Sequence, residues 1–244
     1  MERTGVAALI IGTEVLTAKV ADQNGALLIR RLRDRGVLLR SMDFLHDDVD
    51  DIVEAVNRAR GRAKYVITSG GIGPTHDDVT VRAVALALGR KVVRLEEMVA
   101  LIRHHYKDAA TREAWRLADA PEGTRLIPNP GSWYPVLACG DLFILPGVPQ
   151  LFRLQLETVL ATLPTAPVHV RGLYLVVGEA LIAAVLDRVA LEMPDVVIGS
   201  YPQFGADTDF RVKITIESAE LTRADAAFER LRTELPAGSI IRTE

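Results

Sequence analysis

Six consecutive apolar residues, Val6-Ala-Ala-Leu-Ile-Ile11, run unbroken into Gly12. A strand with one wet face alternates apolar and polar residues. An uninterrupted run is covered on both faces, as in a parallel sheet between two layers of helices. The residues that follow repeat this arrangement. Asp22 is placed to cap a helix in which Ala26, Ile29 and Arg33 share a face and Leu28 and Leu32 extend the stripe, with Gly36 as its stop. Residues 37–45 read as a second strand. Asp47 and Asp48 then precede a helix with Ile52, Val53, Val56 and Ala59 on its apolar side. Residues 65–68 are a third strand, and Val81, Val84, Ala85 and Leu88 mark a third helix closed by Gly89. Strand and helix alternating three times predict a three-layer, doubly wound α/β domain.

Beyond it, residues 96–117 read as helical, with Met98, Leu101, Ile102 and Tyr106 on one side. Three prolines make residues 128–135 a loop or lid. Residues 142–145 form a buried strand ending in Pro146-Gly147-Val148-Pro149, and Leu151, Leu154, Leu156 and Val159 follow at helical spacing. Leu163-Pro-Thr-Ala-Pro167 is the best boundary, separating a domain of residues 1–165 from a second of residues 168–244. In the second domain strands at 173–177, 196–199, 210–216 and 239–242 and helices at 179–191 and 224–235 give the order β-α-β-β-α-β, a split βαβ unit on an antiparallel-rich sheet.

Composition narrows the partners. Lys+Arg 29 against Asp+Glu 32 leaves a net charge of −3, so no basic excess points to nucleic acid. The single cysteine, Cys139, excludes an internal disulfide and reads as a small buried residue. No apolar run approaches the length of a membrane span, and no export signal is present, which makes the cytoplasm the expected location.

The chemistry concentrates after the third strand, in Ser69-Gly70-Gly71-Ile72-Gly73-Pro74. A glycine loop between strand and helix lies at the carboxyl edge of a parallel sheet, where its backbone N–H groups approach a ligand closely and favour anions. Asp77 and Asp78 follow, and Thr75 or Asp77 is placed to cap the next helix. Sheet topology brings Asp47 and Asp48 to the same edge, where one of the two caps a helix. A carboxylate 5 Å from a phosphate costs about 3 kcal/mol at an effective dielectric near 20. A divalent cation such as Mg²⁺ removes that penalty, so acids beside phosphate suggest a metal held by Asp78, Asp77 and Asp47. In Gly12-Thr13-Glu14, after the first strand, Thr13 offers a donor and Glu14 an acceptor to a ligand. His76 and His46 read as surface residues, and His104 and His105, adjacent on one helix, read as structural.

Gly12-Thr13-Glu14, Asn24, Asp47-Asp48 and the loop from Ser69 through Asp77-Asp78-Val79-Thr80 resemble the molybdopterin-binding domain of the molybdenum-cofactor biosynthesis proteins of the MoaB/Mog type. Within that group the chain is similar to the competence/damage-inducible (CinA-like) branch and to the molybdopterin-binding-like region of eukaryotic FAD synthases. Leu145-Pro-Gly-Val-Pro149, Gly199-Ser-Tyr-Pro-Gln203 and Val212-Lys-Ile-Thr-Ile-Glu-Ser218 extend the likeness over nearly the whole chain. The resemblance implies a molybdopterin-binding-like α/β domain followed by a small KH-like α+β domain. It also implies a homo-oligomer and a phosphorylated ligand, whether pterin, ADP-ribose or FAD. The ligand would be held by Gly12, Thr13, Glu14, Asn24, Ser69, Gly70, Gly71, Gly73, Pro74, Thr75, Thr80, Pro146 and Gly147. The damage-inducible branch often carries an acid shortly after the Pro-Gly-x-Pro turn, where this chain has Leu151. Three activities stay open: a Mg²⁺- or Co²⁺-dependent pyrophosphatase using Asp78 with Asp47 or Asp48, a molybdopterin adenylyltransferase, and a non-catalytic binding module.

Overall fold

In a computed structural model that describes residues 5–203, 205 and 208–244, the chain divides into two compact units, residues 1–165 and 166–244. The opening apolar run is strand β1 (Val6–Ile11), buried along its whole length. After it come α1 (Thr13–Leu16), α2 (Asn24–Asp34), β2 (Leu39–Leu45), α3 (Val49–Arg62), β3 (Tyr65–Ser69), α4 (Thr80–Ala87), β4 (Val92–Arg94) and α5 (Glu96–Tyr106). The unit closes with β5 (Asp119–Pro121), β6 (Arg125–Ile127), β7 (Val136–Cys139), β8 (Leu142–Leu145) and α6 (Pro149–Leu160).

The main sheet has the order β2-β1-β3-β8-β7-β6. Strands β2, β1, β3 and β8 are parallel, while β7 is antiparallel to both of its neighbours. Alternate residues of β1 feed two cores. Ala7, Leu9 and Ile11 join Ile52 and Val56 of α3 and Met98 and Ile102 of α5. Val6 and Ala8 join Leu28 and Leu32 of α2 and Phe152 and Leu156 of α6. The sheet is therefore the middle of three layers. Each fully buried Leu, Ile or Phe contributes about 1.5–3 kcal/mol, so these two faces carry most of the unit's stability.

Local chemistry sets the helix ends. Asp22 Oδ1 accepts from the N–H groups of Asn24 and Gly25 at 3.1 Å, the capping role expected of it. Gly36, at φ +63°, lets Val37 N–H reach back to Leu32 O at 2.9 Å and stops α2. Asp48 caps α3, accepting from Asp50 and Asp51 N–H at 2.9 and 3.1 Å.

Several expectations are corrected. The buried stripe of α2 is Leu28 and Leu32, and Ile29 is exposed, because the helix turns its face one position from the expected one. On α6 Leu156 and Val159 are buried as expected, but Phe152 joins them and Leu154 faces outward. The helix expected over 96–117 ends at Tyr106, where Lys107 takes φ +51°, and a 3-10 turn, Glu113–Ala118, follows. Helix α4 starts at Thr80 with no side-chain cap, so neither Thr75 nor Asp77 caps it. Cys139 is the last residue of β7, a strand that the preceding prolines obscured.

The second unit is β9 (His169–Leu175), α7 (Ala183–Glu192), β10 (Val197–Pro202), β11 (Val212–Ser218), α8 (Leu221–Glu234) and β12 (Ile240–Thr243). Its sheet order is β10-β11-β9-β12, antiparallel throughout. Strand β11 sits between β9 and β10, and β9 between β11 and β12, so both helical crossovers skip a strand. Val212, Ile214 and Ile216 point inward at period two and pack with Val189 of α7 and Leu231 of α8. Among the described residues no helix is long and apolar enough to cross a membrane.

Candidate functional site

Strand β1 is flanked by β2 on one side and β3 on the other, so the chain crosses from β1 to β2 in one direction and then back past β1 to β3 in the other. That reversal opens a crevice at the carboxyl ends of the strands. A cleft of about 540 Å³ occupies it, lined by Glu14, Asp47, the loop from Gly70 to Pro74, Asp77 and Asp78, Pro146 and Gly147, and by Tyr106, Leu117, Trp133, Tyr134 and Leu151.

The glycine loop is packed backbone against backbone. Gly70 has φ +105°, and a Cβ there would overlap the carbonyl oxygen of Ile11. A Cβ on Gly147 would lie 3.3 Å from Gly70 Cα. Gly70 N–H donates to Leu145 O at 3.0 Å, and the buried Thr80 hydroxyl donates to Gly70 O at 2.8 Å. Asn24 ties the two loops together, its Nδ2 donating to Ser69 Oγ at 2.9 Å and to Gly147 O at 2.8 Å. The N–H groups of Gly71, Ile72 and Gly73, all on cleft-lining residues, donate to no acceptor among the described residues.

The acids divide their roles. Asp47 Oδ2 accepts from Thr13 N–H at 2.8 Å, and Asp47 N–H donates to Thr13 Oγ1 at 3.2 Å. Asp47 Oδ1 lies 3.5 Å from the position a Gly71 Cβ would take. Across the loop, Asp78 Oδ2 lies 2.6 Å from the corresponding position on Gly73. Asp78 Oδ2 accepts from Thr75 N–H at 2.8 Å, and the Thr75 hydroxyl lies 2.5 Å from both Asp78 Oδ2 and Asp77 Oδ1. One hydroxyl has one proton, so the two carboxylates compete for it. Hydrogen bonding from Thr75 holds the Asp77 carboxyl below the usual range.

Thus Glu14, Asp47, Gly70, Gly71, Gly73, Pro74, Asp77, Asp78, Pro146 and Gly147 meet in one cleft. Asp48 does not line it and serves α3 instead. Asn24, Ser69 and Thr80 are buried behind the loops, and Thr13 and Thr75 hold carboxylates in place. Gly12 lies beneath the folded side chain of Glu14, whose Oε1 is 2.6 Å from where a Gly12 Cβ would stand. His76, with its side chain 95% exposed, is a surface residue.

Sequence reasoning located the loop 128–135 but not its aromatic face. Trp133 stacks on His105 at 4.2 Å and 13° and stands edge-on to Tyr106 and Tyr134 at 5.6 and 5.4 Å. Buried Gln155 anchors this loop, its Nε2 donating to Tyr134 O and Pro135 O at 3.1 Å each. Burial, with Asp78 adding to it, holds the phenol proton of Tyr134 well above the ordinary tyrosine range. The one signal in the sequence was an aromatic pair, Trp133-Tyr134, inside a proline-rich loop.

No group of three or more His, Cys, Asp or Glu among the described residues is arranged to hold a metal unaided. Mg²⁺ is ordinarily bound through one or two carboxylates, with waters and phosphate oxygens completing the shell. Asp47 and Asp78 are carboxylates of that donor type, lining the cleft beside Gly71 and Gly73 respectively.

Fold and cleft together define a doubly wound α/β protein with a cleft at the switch point of its sheet. Residues 7–165 match the family described as a probable molybdopterin binding domain, and the chain belongs to that family. Residues 167–244 match the middle domain of FAD synthase. A protein of Aeropyrum pernix is 32% identical, over 91% of this chain and 88% of its own length. A probable FAD synthase of Caenorhabditis elegans is 31% identical over 98% of this chain, which spans about half (51%) of that relative. The solved structure of CinA from Thermoplasma acidophilum, of unknown function, is 31% identical with a TM-score of 0.60, covering 64% of this chain and 96% of that one.

Proposed function

We propose that the cleft of the first unit binds a diphosphate-containing nucleotide such as ADP-ribose or FAD and hydrolyses its anhydride with a divalent cation. The observation that carries this reading is the pairing of opposite chemistries in one crevice. Three N–H donors, on Gly71, Ile72 and Gly73, with no acceptor among the described residues, offer an anion seat, and Asp47 and Asp78 stand beside the same loop. Carboxylates that close repel a diphosphate by about 3 kcal/mol per charge pair unless a cation stands between them. Asp47 and Asp78 would hold Mg²⁺ or Co²⁺, with Asp77 beside Asp78. Bound there, the cation supplies Lewis-acid neutralisation of charge on the anhydride. The loop N–H groups orient the diphosphate and Thr13 and Thr75 fix the carboxylates; one water admitted to the cleft would attack a phosphorus as the bridging P–O bond breaks, leaving AMP and the second phosphate ester. The family and the FAD synthase relative support a phosphorylated, ring-bearing ligand.

One observation favours a second reading, a binding module without turnover. Leu151 lines the cleft and gives it an apolar side chain at the position where the damage-inducible branch often has an acid.

Incubation with ADP-ribose or FAD and Mg²⁺ or Co²⁺, followed by chromatography for AMP, separates the two. Turnover that falls at least about a hundredfold in Asp78→Asn and Asp47→Asn, with unchanged circular dichroism, supports hydrolysis. Tight binding with no turnover across both compounds and both metals supports the module. Pyrophosphate released from ATP only when molybdopterin is added would assign adenylyl transfer instead.

A further inference from the structure

The cleft has a second wall that the hydrolytic reading does not use. Tyr106, Trp133 and Tyr134 all line it, opposite in character to the glycine loop. The indole of Trp133 is fixed in one plane. His105 stacks on it at 13°, and Tyr106 and Tyr134 stand at 86° and 82° to it. Gln155 and the Thr158 hydroxyl, which donates to Asn129 Oδ1 at 2.9 Å, pin the loop that carries it. A half-buried indole held this firmly on a cleft wall loses little freedom when a flat ring packs against it. Hydrolysis of an anhydride needs no such surface, and a bare diphosphate has nothing to place there.

We propose that Trp133 is the ring-recognition residue of the cleft: it stacks the heteroaromatic base of a nucleoside diphosphate compound while the glycine loop holds the diphosphate. The inference rests on the reading of the loop as a diphosphate seat. It adds that selectivity for base-bearing ligands over bare diphosphates resides in the aromatic wall. Trp133 acts by positioning and touches no reacting bond.

The chain has two tryptophans, Trp115 and Trp133, so Trp115→Phe leaves Trp133 as the sole indole emitter. The probes are ADP-ribose and inorganic pyrophosphate, each titrated with Mg²⁺ present, by fluorescence and by calorimetry. ADP-ribose should quench Trp133 emission, and pyrophosphate should bind without quenching it. Trp133→Leu should weaken ADP-ribose about tenfold and leave pyrophosphate within twofold, since stacking a base on an aromatic side chain has about that effect. Trp133→Phe, which keeps a ring, should recover most of the loss. Equal weakening of both probes in Trp133→Leu, or of neither, overturns the ring seat and leaves the diphosphate reading intact. Failure of both probes to bind the unaltered chain overturns both.

Discussion

The two walls of the cleft are held by different forces. The acidic wall is fixed by backbone: Gly70 packs on Ile11 and Gly147, the Thr80 hydroxyl donates to Gly70 O, and the N–H groups of Thr13 and Thr75 hold the Asp47 and Asp78 carboxylates. At Gly70 no side-chain rearrangement can absorb an added atom, because the atom it would meet is the backbone oxygen of Ile11. The aromatic wall is fixed by packing, through ring edges and one buried amide. Rings slide and repack at modest cost. A wall that must aim N–H groups and carboxylates within tenths of an ångström is built from backbone. A wall that need only present a flat surface is built from side chains.

If that contrast holds, Gly70→Ala should be the most damaging single change. It places a Cβ on the Ile11 carbonyl at a φ of +105°, a clash with backbone at a conformation that L side chains rarely adopt. A loss above about 3 kcal/mol is expected in urea unfolding, or failure to accumulate folded protein. A loss under about 1 kcal/mol would show that the loop shifts easily and would erase the distinction between the walls.

Gln155→Leu probes the other wall. It strips the hydrogen-bond donor from two buried carbonyls, while removing an Oε1 that has no partner of its own. The expected cost is about 2 kcal/mol, with near-ultraviolet dichroism from the Trp133 region diminished and far-ultraviolet dichroism preserved. A cost exceeding that of Gly70→Ala would reverse the comparison.

The same contrast explains what the sequence disclosed. The acidic wall was legible because its parts are contiguous: a strand, three glycines and two aspartates within about ten positions, each residue type demanded by local geometry. Even so, roles within it were not. Asp47 and Asp48 are chemically identical, and only the register of α3 decides that the second caps the helix and the first faces the cleft. Asn24 and Ser69 belong to the motif yet sit behind it, because a residue that ties two loops leaves the same sequence mark as one that touches a ligand. The aromatic wall comes from α5, the loop before β7 and, through Gln155, from α6. No local rule links segments that distant. The early end of α5 was hidden as well: apolar spacing continued past Tyr106, while the backbone takes positive φ at Lys107 and the helix stops there.

A smaller effect reports on how dry the aromatic wall is. Burial raises the folded-state pKa of Tyr134, so its contribution is fully present below the unfolded value near ~10 and is lost as pH rises beyond it. Above ~10 the unfolded chain releases a proton that the native phenol keeps, at about 1.4 kcal/mol per pH unit. Urea midpoints between pH 9 and 11 should therefore fall more steeply for the natural chain than for Tyr134→Phe. Parallel slopes would mean that water reaches the phenol and that the wall is open.

The smallest effect separates the adjacent acids. Asp48→Ala removes a helix cap and should cost about 1 kcal/mol in urea unfolding, the ordinary value for such a cap. It should leave the affinity for pyrophosphate with Mg²⁺ within twofold, because Asp48 does not line the cleft. Asp47→Asn should behave in the opposite way. An amide oxygen still accepts the Thr13 N–H, so stability holds, but the charge that faces the loop is gone. Should Asp48→Ala weaken Mg²⁺-dependent binding as strongly as Asp47→Asn, the cap would be exchanging with the cleft. The acidic wall would then be no more rigid than the aromatic one.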